Sequence, residues 1–171
     1  MGKFILSIAF CFSLSQIQGQ ANDYFGSAII PKNEYLIRLA SADLYWSLPQ
    51  NNEINITTLD KNLAAKVMFI PAGNGYYYIK FLSNGKYLQI SDDNLNSGSH
   101  LLAGEPTRIN LQKFKVIEKI RGQFKFITVN NLAIDQRCNK GVKLCISDDN
   151  NTEHQTFEIM EVKNMVKLCT Y

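Results

Sequence analysis

YYIKFLSNGKYLQI, residues 77–90, is the stretch on which the fold turns. Tyr77-Tyr78-Ile79-Lys80 is built of residues that favour strands, Ser83-Asn84-Gly85 is a tight turn, and Lys86-Tyr87-Leu88-Gln89-Ile90 is a second strand. Asn-Gly tolerates the positive φ that such a connection needs, so the stretch reads as a hairpin. Further on, Gln112-Lys113-Phe114-Lys115-Val116 closes the pattern with a strand that opens on an aromatic residue. The same order recurs on both sides. Upstream, Tyr35-Leu36-Ile37-Arg38 leads through residues 41–48 to Val67-Met68-Phe69-Ile70. Downstream, Phe124-Lys125-Phe126 leads through Leu132-Ala133-Ile134-Asp135 to Gln155-Thr156-Phe157-Glu158-Ile159. The closing aromatics Phe69, Phe114 and Phe157 lie 45 and 43 residues apart, and Ile37, Ile79 and Phe126 lie 42 and 47 apart, so three near-equal units are predicted.

Each unit divides into four short strands, at 35–39, 43–48, 54–58 and 67–71, then 76–82, 86–91, 99–104 and 113–118, then 124–129, 131–136, 142–147 and 156–162. Long helical periodicity is absent; Asp60–Met68 has room for a single turn before a strand. One unit cannot bury its apolar face alone, whereas three around an axis close a barrel and cap it. Twelve strands in three units is the all-β, β-trefoil plan, with repeats at approximately 34–73, 74–118 and 119–163 of a single domain spanning 22–171 and ending in a short C-terminal tail.

The residues before that domain read differently. Lys3 is followed by the apolar run Phe4–Leu14 and then by small and polar residues up to Gly19 and Ala21, the pattern of a secretory signal peptide over 1–21. The run is too short to span a bilayer, so a secreted, extracellular protein with no membrane span is expected. The whole chain of 171 residues is 46% apolar and carries a formal charge of +3, too weak a bias to imply a nucleic-acid partner. Without the signal three of the four cysteines remain, Cys138, Cys145 and Cys169. In an oxidising compartment they predict one disulfide plus a leftover thiol or an intermolecular bond, with three pairings open. Asn55-Ile56-Thr57 and Asn150-Asn151-Thr152 are N-glycosylation acceptor sequences.

The middle unit, YYIKFLSNGKYLQI with GSHLLAG and NLQKF after it, resembles a ricin-B-type β-trefoil lectin repeat, and the likeness covers roughly residues 34–163. The family's closing Gln-x-aromatic motif appears as Gln112-Lys113-Phe114 and Gln155-Thr156-Phe157, while the first unit has Val67-Met68-Phe69. In such lectins a repeat binds sugar with a carboxylate, an aromatic wall and an amide near the closing motif. The resemblance puts the carboxylate position at Ser47, Gln89 and Asp135, so only the third unit keeps the charge. It places Lys143, His154 and Gln155 around Asp135, with Cys145 where the aromatic wall would stand. In the second unit Gln89 and His100 are the polar candidates. Ala133 and Ser147 occupy the places of the family's within-repeat disulfide, which leaves Cys138 with Cys145 as one conceivable pair.

The functional expectation is a non-enzymatic, monomeric lectin that binds glycans weakly, chiefly through the third unit, and needs neither metal nor cofactor. Gln112 and Gln155 are expected to tie the closing turns to the barrel, and Trp46 to lie in the core. The stretch Arg108–Lys125, with six basic residues against Glu118, reads as an ordinary solvent face. The rival expectation is a β-trefoil with decayed sugar sites that binds an extracellular protein, as an inhibitor or a ligand.

Overall fold

The computed structural model describes residues 29, 31, 33–48, 52, 54–58, 60–92, 95–137 and 143–162. Residues 1–21, read as a signal peptide, lie outside them, as do Cys11, Cys138 and Cys169. Among the described residues there are twelve strands: β1 (Tyr35–Leu39), β2 (Tyr45–Ser47), β3 (Asn55–Thr58), β4 (Val67–Gly73), β5 (Tyr76–Phe81), β6 (Tyr87–Ile90), β7 (Leu101–Gly104), β8 (Phe114–Ile120), β9 (Gln123–Thr128), β10 (Leu132–Asp135), β11 (Cys145–Asp148) and β12 (Phe157–Glu161). Every pairing between them is antiparallel.

Six strands close on themselves. The pairings run β1 to β4, β4 to β5, β5 to β8, β8 to β9, β9 to β12 and β12 back to β1, so these strands form a barrel without free edges. Arg38 faces Glu158 across β1 and β12, and their side chains form an ion pair that Asp43 extends. The other six strands form the hairpins β2–β3, β6–β7 and β10–β11. These meet in a ring of backbone hydrogen bonds: Ile54 N–H to Leu101 O at 3.2 Å, Leu101 N–H to Leu144 O at 3.1 Å, and Leu144 N–H to Ile54 O at 3.2 Å. A 3-10 turn stands before each of β4, β8 and β12, at Lys61–Leu63, Asn110–Gln112 and Glu153–Gln155. This all-β, antiparallel architecture is consistent with a β-trefoil-like fold.

Alternation along the barrel strands sends one face inward, where aromatic rings fill the centre. Trp46, Phe69, Phe114, Phe126 and Phe157 are fully buried. The Phe126 ring lies 5.3 Å from that of Trp46, 5.6 Å from Phe157 and 6.4 Å from Phe69 by centroid. Phe126 is thus the shared neighbour of side chains from β2, β4 and β12. Phe126→Ala is expected to cost about 3–5 kcal/mol of unfolding free energy, a core truncation that collapse from three directions cannot refill. Urea titration followed by tryptophan fluorescence measures it, with Trp46 as the probe.

Candidate functional site

Two glutamines organise the second and third units in the same way. Gln112, fully buried in its 3-10 turn, accepts Arg108 N–H at its side-chain oxygen (2.8 Å). Its amide nitrogen donates to Gln89 Oε1 at 2.8 Å and to Glu105 O at 2.5 Å. Gln155, equally buried, accepts Asn150 N–H at 3.1 Å and donates to Asp148 O at 2.8 Å, to Ser147 Oγ at 2.9 Å and to Asp135 Oδ2 at 3.1 Å. Each amide therefore joins the closing turn to the middle hairpin of its unit. Gly104 belongs to the first of these ties: a Cβ there would overlap the Gln89 side-chain amide.

The third unit replaces the neutral partner by a carboxylate. Asp135, at the end of β10, is 1% exposed. Arg137 N–H reaches its Oδ1 at 2.8 Å, the local turn in which a carboxylate bonds the backbone two residues on. That turn returns the guanidinium of Arg137 to the same carboxylate: Nε lies 3.2 Å from Oδ1 and 3.3 Å from Oδ2, and Nη2 lies 2.8 Å from Oδ2. Ser147 Oγ adds a bond to Oδ2 at 2.9 Å. Burial alone would raise the Asp135 pKa. The side-chain and backbone hydrogen bonds from Arg137, the Ser147 hydroxyl and the Arg137 charge outweigh it and hold the group at about 2.

Around this cluster stand some of the residues that the sequence singles out. His154 is one-third exposed; its Nδ1 lies 3.3 Å from Gln136 Nε2, and its backbone carbonyl accepts Gln136 N–H. Lys143 is half-buried immediately before the ring residue Leu144. His100 is exposed; its backbone bridges Cys145 of the third unit's hairpin, and its carbonyl accepts Ser91 N–H at 2.9 Å just after β6. Asn55 lies on β3, and Asn150 is exposed, its Oδ1 accepting Thr152 N–H at 3.3 Å. Two residues of the cluster, Arg137 and Ser147, are absent from the sequence-based site; the signal for the first was an arginine two positions after a carboxylate.

One expectation needs correction. No disulfide links two described residues, so a disulfide is not among the described features of this fold. Ala133 and Ser147, at the places of the lectin staple, face each other across β10 and β11 without a sulfur, and Ser147 spends its hydroxyl on Asp135. Cys145 is the one described cysteine; it is buried opposite Asp135, its sulfur is engaged, and it is not a free thiol. The basic stretch also differs from a plain solvent face: Lys125 is buried, with Nζ 2.6 Å from Asp149 Oδ2 and 2.8 Å from Asn151 Oδ1. Among the described residues no His, Cys, Asp and Glu side chains group as metal ligands, and no helix is long and apolar enough to cross a membrane.

No protein-family model matches the chain, and no curated protein matches its sequence. Solved structures do match. An exo-β-1,3-galactanase from Clostridium thermocellum superposes with a TM-score of 0.70 at 18% identity, over 80% of this chain and 32% of that one. The Polyporus squamosus lectin, solved with the epitope Neu5Acα2-6Galβ1-4GlcNAc, superposes at 0.67 and 15% identity, over 78% of this chain and 50% of that one. The water-soluble chlorophyll protein of Brassica oleracea, with chlorophyll b, superposes at 0.65 and 14%, over 84% of this chain and 99% of that one. At these identities the likeness shows the fold alone, which is β-trefoil-like. This chain spans about a third of the galactanase and half of the lectin. Proteins of this fold thus include a lectin, a glycosidase and a pigment-binding protein, and the site must supply the rest.

Two measurements test the geometry. Gly104→Ala, by pushing the Gln89 amide off Gln112, is expected to cost about 1–2 kcal/mol in urea titration, while Gly104→Ala in a Gln89→Ala background costs less. Asp135 has its pKa lowered from 3.8 to about 2, so the stability it contributes is complete above 3.8 and is lost as pH falls through about 2. Acid denaturation of the wild type over that window is expected to be steeper than that of Asp135→Asn; equal slopes would show that the carboxylate is not selectively stabilised.

Proposed function

We propose that the protein is a secreted, non-enzymatic, carbohydrate-binding β-trefoil of three ricin-B-like repeats, with weak glycan binding centred on the third. The observation that carries this reading is the Asp135–Gln155 pair, a charged acceptor at the end of β10 hydrogen-bonded to an amide in the 3-10 turn before β12, with Arg137 on the carboxylate and the partly exposed His154 next to Gln155 in the chain. Polar groups fixed by strand and turn suit the hydroxyls of a sugar, and Cys145 stands where the resemblance puts the aromatic wall. Such a site lacks the stacking contact that usually covers the apolar face of a sugar ring, which is the reason for weak binding. A glycan array probed with the purified wild type and with Asp135→Ala tests it. Signal on a subset of glycans, reduced about tenfold or more in the variant, is expected. Silence across the array, or equal binding by both proteins, defeats the reading.

A second reading, a protein-binding module with decayed sugar sites, is favoured by one surface. Ile117 pairs with Lys125 and Ile120 with Gln123, two positions apart on β9, so a bulge in β8 turns both isoleucines to one face. They are 39% and 58% exposed. Capture of a partner from extracellular fluid that survives excess sugar and is lost in Ile117→Ser/Ile120→Ser would support this module over the lectin.

A further inference from the structure

We infer that Arg137 is an intramolecular occupant of the third unit's polar site: its guanidinium sits on the Asp135 carboxylate where a sugar diol would bind, and the site opens when that side chain is displaced. The inference rests on the carbohydrate reading above and names how that site is regulated.

The argument begins with acceptor capacity. A carboxylate offers about four lone-pair sites. Asp135 already receives Arg137 N–H, Nε and Nη2, Ser147 Oγ and Gln155 Nε2, so nothing is left for a further donor. A neutral hydroxyl must therefore replace one of these partners. Three of them are fixed: the Arg137 N–H by the turn, Ser147 by the pairing of β11 with β10, and Gln155 by full burial in its 3-10 turn. The guanidinium is different. Its side chain is 46% exposed while that of Asp135 is 1% exposed, so solvent meets the arginine and not the carboxylate beneath it. Among the described residues the Arg137 side chain bonds only Asp135.

The second unit shows what the arginine adds. There the tie between the middle hairpin and the closing turn is made by two neutral amides, Gln89 and Gln112, and residue 91 is a serine. The tie itself needs no cation. The charged version in the third unit is the one that carries a removable cap, whose charge-assisted bonds are stronger than those of a sugar hydroxyl.

The experiment compares wild type, Arg137→Ser and Asp135→Asn by NMR titration with lactose and with maltose as neutral diol probes, and by thermal melting with ethylguanidinium as a stand-in for the missing side chain. Arg137→Ser is expected to bind one of the sugars about fivefold more tightly than wild type, in proportion to a half-exposed ion pair. Ethylguanidinium is expected to compete with that sugar and to raise the melting temperature of Arg137→Ser, with no effect on wild type or Asp135→Asn. Measurable and equal sugar affinity in wild type and Arg137→Ser overturns the inference and leaves the carbohydrate reading standing. No response of Arg137→Ser to ethylguanidinium, in competition or melting, also overturns it. If ethylguanidinium stabilises the variant while neither sugar binds any of the proteins, the ion pair stands but the carbohydrate reading falls, and the inference falls with it.

Discussion

Three peptide groups hold the hairpins together. Ile54, Leu101 and Leu144 each donate a backbone N–H to the next and accept from the one before, and their side chains are buried at 1% exposure or less. Every donor and acceptor in the ring has a partner on a different hairpin. Removing one hairpin would strand a buried N–H and a buried carbonyl on the other two, each costing on the order of 1–3 kcal/mol. The barrel imposes the same condition, since its six strands close only when β12 returns to β1. Burial of the central aromatics therefore depends on all three segments of the chain arriving together, and Phe126, touching Trp46, Phe69 and Phe157, senses each of them.

The closing glutamines solve a local problem that this closure creates. Where the chain turns from the middle hairpin into the last barrel strand, backbone groups face inward without strand partners. A buried amide carries both a donor and an acceptor, so Gln112 and Gln155 satisfy groups of both kinds at once. What they hold on the other side decides the character of the site. Gln89 keeps the second unit neutral, whereas Asp135 places a charge in a spot that burial alone would protonate. Dipoles from Ser147 and Gln155 help, but a buried anion needs a countercharge, and Arg137 provides it from two residues away.

The strands were legible in the sequence because their signals are local: alternating apolar residues, Asn-Gly at a hairpin, and aromatics at matching intervals. Gln112 and Gln155 could be found from their place beside those aromatics. Arg137 could not, since its return to Asp135 depends on the backbone conformation after β10 and not on spacing alone. Ser147 was weighed as a possible cysteine position and not as a hydroxyl donor, because its orientation toward Asp135 follows from the register of β10 with β11. Lys125 looked like one more surface cation in a basic stretch; its partner Asp149 lies 24 residues on, brought close only by the fold. The bulge in β8 that gathers Ile117 and Ile120 is equally invisible, since one extra residue reverses which side chains share a face.

Asp135 and Arg137 are therefore best understood as one unit with two faces. The carboxylate looks inward, held by strand and turn; the guanidinium looks outward, held among the described residues by the carboxylate alone. A ligand that approaches from solvent first meets a cation whose charge is already matched, so long-range attraction contributes little and close-range exchange of hydrogen bonds decides affinity. The burial that makes Asp135 a strong acceptor is also what requires Arg137 to cover it, and any ligand of that carboxylate must compete with the residue that keeps it charged.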